Sequence, residues 1–224
     1  MSTLILVLGL SWSLMAQADP GVPPAALPEE VFQHPLPDPR PATWLEISKR
    51  SQSVPVFRAK FVQVKKLVAL RRPLRSSGEF LCHSERGIRW TTLEPHPVVF
   101  IITRRGLFQE SEGELPVEVS TADQPMVRQM AEVFLSLFSG DEERLLEHFR
   151  VFFVGDSASW RIGLEPKGLV MQKVIRRIVL EGGQTVNSLL LLESSGDRTE
   201  VVFDPILDRP AQLTEEEEKL FREH

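Results

Sequence analysis

Phe57-Arg58-Ala59-Lys60-Phe61-Val62-Gln63 decides how this chain is read. Phe57, Ala59 and Phe61 alternate with Arg58, Lys60 and Val62, the period of two that marks a strand with one face on a core. The alternation continues through Phe80 and Cys82, then through Ile88 and Trp90 beyond a turn at Glu85-Arg86-Gly87. Val98 to Thr103 is an unbroken β-branched and aromatic run between Pro97 and Gly106. Further strands are expected at 107–110, 116–120, 149–154, 159–164, 172–180, 186–193 and 199–204. Gly155-Asp156, Pro166-Lys167-Gly168, Gly182-Gly183 and Gly196-Asp197 supply turns between the later ones. Those later loops are too short for crossover helices, so the last four strands form an antiparallel meander.

Helical spacing interrupts the strands in a few places. Thr43 is an acceptable N-cap for a helix through Trp44, Leu45, Ile47 and Ser48. Asp123-Gln124-Pro125 opens a second helix, in which Met126, Met130, Phe134 and Leu137 recur on one face and Val133 and Phe138 widen the stripe. Gly140 ends it, and Asp141 starts another through Leu145, Leu146 and Phe149. Thr214-x-x-Glu217 has the form of a capping box for a short helix reaching Phe221. The sum is an α+β fold: a large antiparallel sheet with a few helices, one of them strongly apolar.

The 224 residues carry 31 acidic against 26 basic side chains, a net charge of −5, which speaks against wholesale nucleic-acid binding. One cysteine excludes a disulfide framework and any multi-Cys metal site. Leu4 to Met15 is an apolar run too short to span a bilayer, which takes about 20 helical residues. It ends in Ala16-Gln17-Ala18, so residues 1–18 are expected to be a signal peptide cleaved after Ala18, giving a periplasmic protein. Residues 19–42 hold eight of the 17 prolines and are expected to form an extended linker, with the folded domain at 43–224. Cys82, on the apolar face with Phe80, is expected to be a buried structural thiol.

The order and spacing of several short motifs resemble the outer-membrane lipoprotein carrier (LolA) family. They are Phe61-x-Gln63, Ser77-Gly78-Glu79-Phe80, Gly87-Ile88-Arg89-Trp90, Glu94-Pro95, the run Val98 to Thr103 with Gly106, and the tail from Glu193 through Gly196-Asp197 to Phe203. The resemblance spans roughly residues 44 to 210. It implies an incomplete antiparallel β-barrel whose concave apolar face is covered by helices and receives acyl chains of a lipoprotein or other lipid. It also implies a donor, an inner-membrane ABC transporter or other lipid exporter, and an outer-membrane acceptor, with no cofactor and no catalysis. No cysteine follows the apolar run, so the chain resembles the soluble carrier, expected to be monomeric, rather than the anchored receptor. The family's Arg-Pro pair before the Trp strand is replaced here by Ser84-Glu85-Arg86-Gly87, which makes Arg86 the candidate lid contact and marks a divergent branch.

Under this reading the apolar cavity and its lid comprise Phe61, Phe80, Trp90, Phe100, Met126, Met130, Phe134 and Leu137. Methionines suit such a lid because flexible thioethers repack around different cargo. The competing reading places the same residues in an ordinary core. Lys60, Lys65, Lys66, Arg71, Arg72 and Arg75 occur with no intervening acid. Lys65, Lys66, Arg71 and Arg72 are therefore candidates for docking on anionic lipid headgroups or on an acidic face of a transporter, against the alternative of a solvated hairpin. His34, His83, His96, His148 and His224 show no metal-ligand spacing, and no nucleophile elbow, phosphate loop or dinucleotide fingerprint occurs. The alternative to a carrier is a lipid-sensing periplasmic regulatory module that acts through a protein partner.

Overall fold

The computed structural model describes residues 29–112, 115–120, 125–139, 141–206 and 212–222. The expected signal peptide, the Asp123 cap and Gly140 lie outside the described residues. From Ala59 onward burial alternates in β1 (Val56–Lys66), where Ala59, Phe61, Gln63 and Lys65 are buried on one face while Lys60, Val62 and Lys66 are exposed on the other. Ten more strands follow: β2 (Leu74–His83), β3 (Gly87–Glu94), β4 (Val98–Ile102), β5 (Gly106–Ser111), β6 (Val117–Ser120), β7 (Phe149–Gly155), β8 (Trp160–Pro166), β9 (Ile175–Gly182), β10 (Val186–Glu193) and β11 (Arg198–Pro205). All pair antiparallel in one open sheet of order β6-β5-β4-β3-β2-β1-β11-β10-β9-β8-β7. This is the incomplete barrel that the motifs imply.

That order explains why helices cover one face. Strands β6 and β7 are the two sheet edges yet neighbours in sequence, so the chain between them must cross from one edge to the other. The crossing is made by α2 (Pro125–Ser139) and α3 (Glu142–His148), joined on the same face by α1 (Ala42–Ser53). The helix α3 is capped as the sequence predicts: the Asp141 side chain accepts a hydrogen bond from the Arg144 N–H. The cap of α1 differs. Pro41, extended at φ −60° and ψ 146°, holds the N-cap position and its carbonyl accepts the Leu45 N–H, which places Thr43 inside the helix. The expected strand at 172–180 also starts later. Gly168 begins a single helical turn, α4 (Leu169–Gln172), which buries Met171 before β9 begins.

Side-chain alternation gives the sheet a core on each face. The large core lies on the concave side under α1 to α3 and includes Phe61, Phe80, Phe100, Leu164, Ile178, Leu191 and Phe203. On the convex side, Ile101, Phe108 and Leu81 pack under α5 (Glu215–Arg222) through Phe221. The capping box of α5 is formed as expected: the Thr214 N–H donates to Glu217 Oε2 at 2.8 Å and the Glu217 N–H to Thr214 Oγ1 at 3.2 Å. The second convex core carries a correction to the linker. Residues 29–33 form a 3₁₀ turn whose Val31, fully buried, packs with Phe152, Val179 and Leu190. His34 O then accepts the Phe153 N–H and the Leu36 N–H donates to Val151 O, both at 2.9 Å, so the chain lines the β7 edge. Proline suits such an edge position because no ladder N–H is needed there, and Pro35 bridges Phe152. The described part of the Pro-rich segment is thus part of the fold rather than a solvated linker.

Gly78 illustrates how tightly the sheet closes. A Cβ there would collide with the Thr91 carbonyl oxygen, at the point where β2 and β3 slip register between Ser77 and Gly78. Cys82 is buried as expected, and burial pushes its thiol up to about 12.

Candidate functional site

Alternate residues of β2, β3 and β4 and of β9, β10 and β11 face one another across the concave side and leave an apolar cavity of about 20 Å³. Four expected site residues line it: Phe80, Trp90, Phe100 and Leu137. Phe61 lies against Trp90, with ring centroids 4.5 Å apart, and supports that wall. The helix carrying Met126, Met130 and Phe134 does cross this face, but the side chains of these three residues lie outside the described residues. Sequence reasoning missed the opposite wall, made by Ile178, Leu189, Leu191, Thr199 and Val201. Its signal was present: Leu189 and Leu191, then Thr199, Val201 and Phe203, repeat every second residue.

The lid closes this cavity with aromatic contacts. Phe138 on α2 lies 4.7 Å from Phe80, 5.9 Å from Phe203 and 6.4 Å from Phe57 between ring centroids. Such pairs each add about 0.5–1.5 kcal/mol beyond the area they bury. Beside it lies a second cavity of about 70 Å³, between α1 (Trp44, Ile47), the start of α3 and the β8–β10 strands (Trp160, Ile162, Leu180, Val186). Leu137 and Phe138 line both cavities, so one pair of side chains forms the wall between them. A volume of 10–15 Å³ by this measure holds about one water. Each of the two cavities therefore holds only a few waters.

Two polar devices hold the lid from its flanks. Arg50 Nη2 on α1 donates to the carbonyls of Ser157 (3.1 Å) and Gly183 (2.5 Å), the latter shared with the Trp160 indole N–H at 2.8 Å. Arg40 Nε donates to Glu142 Oε1 on α3 at 2.9 Å. Arg86 does not do this work. It is exposed at the tip of the β2–β3 turn, where its backbone N–H donates to His83 Nδ1 at 3.3 Å, and it makes no hydrogen bond or ion pair to the lid among the described residues. The neighbouring Arg89 lies on the convex side of β3, where burial lowers its basicity and its Nη1 donates to Thr91 Oγ1 at 2.7 Å.

The basic stretch divides into two parts. Lys66, Arg71 and Arg72 are exposed, with Val68 (73% exposed) and Leu70 (45%) at the tip of the β1–β2 connection. Lys65 belongs elsewhere, which corrects its assignment to a docking surface. Four residues beyond Phe61 on the same strand, it faces the cavity side, is 2% exposed and pairs with Glu193 Oε1 at 3.2 Å. The tip is fastened to the neighbouring β10–β11 turn by the Val68 N–H, which donates to Asp197 Oδ1 at 2.8 Å.

Residues 42–202 match the family described as "Outer membrane lipoprotein carrier protein LolA-like". Among curated proteins none matches. Among solved structures the chain is similar to a LolA superfamily protein from Nitrosomonas europaea, at 10% identity and TM-score 0.42 over 81% of this chain and 98% of that one. It is also similar to LprF from Mycobacterium bovis, at 10% identity and TM-score 0.39 over 83% and 95%. A chain of the Pseudomonas aeruginosa MucA/MucB complex is similar at 12% identity and TM-score 0.38, over 76% of this chain and 60% of that one. The match covers most of the chain, from the start of α1 to within β11, so this protein belongs to the LolA-like family of outer membrane lipoprotein carrier proteins.

Proposed function

We propose that this protein is a periplasmic carrier that takes the acyl chains of a lipoprotein or other lipid into its concave cavity and shuttles them from the inner to the outer membrane. The observation that supports this reading is the apolar cavity closed by Leu137 and Phe138 of α2, in a chain whose family is described by lipoprotein carriage. Cargo displaces these side chains, and α2 swings away from Phe80 and Phe203 as the chain enters. Each buried methylene contributes about 0.8 kcal/mol, so one long chain outweighs several lost aromatic contacts. No polar group has to be matched along most of the wall, which suits cargo of variable chain structure. An exporter in the inner membrane loads the carrier and an acceptor at the outer membrane unloads it.

Membrane approach falls to the tip formed by Lys66, Val68, Leu70, Arg71 and Arg72. Exposed aliphatic side chains flanked by cations suit an anionic bilayer, in which the apolar pair enters the interface and each Lys or Arg adds about 1 kcal/mol. An acidic protein face would reward the charges but leave Val68 without a partner, so the bilayer is the better fit.

The test is native mass spectrometry of the protein purified from the periplasm, with uptake of a fluorescent fatty acid measured alongside. A stoichiometric bound lipid or lipopeptide is the expected result. A bare protein mass with no uptake of the fatty acid overturns the carrier reading and makes the stripe on α2 an ordinary core face.

A further inference from the structure

One polar side chain lines the cavity and is unsatisfied, and a poorly satisfied ion pair lies beside it. Thr199 lines the cavity with no exposed surface, and its Oγ1 has no hydrogen-bond partner. Directly opposite it on the adjacent strand is Lys65, paired in register across β1 and β11, so both side chains stand on the cavity face within reach of one another. The Lys65 ammonium approaches Glu193 Oε1 at 3.2 Å, yet that oxygen receives no well-aligned hydrogen bond. An ammonium has three donors, and Glu193 is the single partner that Lys65 has among the described residues.

A buried ion pair is a weak source of stability, and apolar residues of similar size commonly do as well in its place. A hydroxyl left alone beside it adds a further penalty. Those costs make sense where a third group completes the set. We infer that Thr199, Lys65 and Glu193 anchor the uncharged polar head of an acylglycerol whose chain occupies the apolar cavity. The inference rests on the carrier reading above and names the head group that this cavity selects.

Charge decides the class of head. The pair is neutral overall, so a free carboxylate that reached Lys65 would also face Glu193, and a cationic head would meet the reverse conflict. A glycerol hydroxyl suits both partners, since it accepts from Lys65 or Thr199 and donates to Glu193. An ester carbonyl accepts from the same two donors. The site lies at the strand ends from which the basic tip projects, because Lys65 precedes Lys66 and the Val68 N–H is tied to Asp197. The head is thereby held at the end of the cavity nearest the surface that meets the membrane.

The experiment compares 1-monomyristoylglycerol with myristate, binding being read from intrinsic tryptophan fluorescence, to which Trp90 in the cavity wall contributes. The full chain is set against Thr199→Val and against the double variant Lys65→Met/Glu193→Met, which leaves no charge unpaired. The wild-type protein is expected to prefer the glyceride at least tenfold. Each variant should reduce that preference, read as the ratio of the two affinities in one preparation, below threefold. A wild-type protein with no preference, or variants that keep it, overturns the anchor and leaves the carrier reading standing. If neither ligand binds the wild-type protein, the carrier reading falls and the anchor with it. Thr199→Val, which conserves shape, carries the test alone if the double variant does not fold.

Discussion

The ring of Phe138 sits 4.7 Å from that of Phe80, tilted by 47°, and both rings line the apolar cavity. Under the proposed carrier reading, lid closure and cargo binding compete for the same volume. Phe138→Ala is expected to lower stability by about 2–3 kcal/mol, toward the low end for buried aromatics because this ring is half-buried. The same variant should bind a fluorescent fatty acid several-fold more tightly, because the chain no longer has to expel the ring. Thermal unfolding and titration of one preparation check this. A parallel loss of stability and affinity would make Phe138 a core residue alone.

The tip of the β1–β2 connection should govern membrane contact and leave uptake alone. Reversing Lys66, Arg71 and Arg72 to Glu is expected to weaken co-sedimentation with phosphatidylglycerol-containing vesicles more than tenfold, and raising the salt should weaken the wild-type protein in the same direction. Val68→Asp should weaken it without altering the net count of cations. Fatty-acid uptake should stay unchanged in all of them. Vesicle binding that ignores both salt and charge reversal would remove this surface from the mechanism.

Acid should release α5 before it disturbs the cavity. Arg58 holds Glu217 at two points, Nε to Oε1 at 2.7 Å and Nη2 to Oε2 at 2.6 Å. This guanidinium, helped by the Thr214 N–H, brings the Glu217 carboxyl down from 4.5 to about 2. A carboxylate with a depressed folded-state value stabilises fully above its unfolded value and loses that contribution as the pH falls through the folded one. The window thus runs from about pH 4.5 down to about 2. In that range the hydrogen-exchange protection of residues 215–222, taken relative to the intrinsic rate at each pH, should fall with acid, and Glu217→Gln should flatten the dependence. An unchanged profile in the variant would show that Arg58–Glu217 does not hold the helix.

Much of this architecture could be read directly from residue types. Alternation in Phe57 to Gln63 places β1 correctly, and Thr214-x-x-Glu217 closes as a capping box, because both depend on neighbours within a few residues. The cavity wall contributed by β9 to β11 was available from the same rule but was assigned only to strands. Extending the alternation of β1 by two residues would also have turned Lys65 inward, where its charge type suggested the surface. Other features have no local signal. Arg50 finds its partners at Ser157 and Gly183, backbone carbonyls more than a hundred residues away. Val31 and Phe32 sit in a segment whose prolines read as solvated chain, yet proline is compatible with lying along a strand edge, and the matching apolar patch forms only when β7 to β10 assemble.

The convex braces and the concave lid never share a side chain face. On β4, Ile101 points to α5 while Phe100 and Ile102 point to the cavity; on β5, Phe108 and Leu107 divide in the same way. The sheet acts as a septum one backbone thick. Under the carrier reading, traffic on the concave side rearranges α2 without loosening the outer braces, and stripping an outer brace leaves the cavity wall in place. A reporter group attached along residues 215–222 would accordingly sit on the side of the sheet away from the cavity, a passenger that leaves any ligand there untouched.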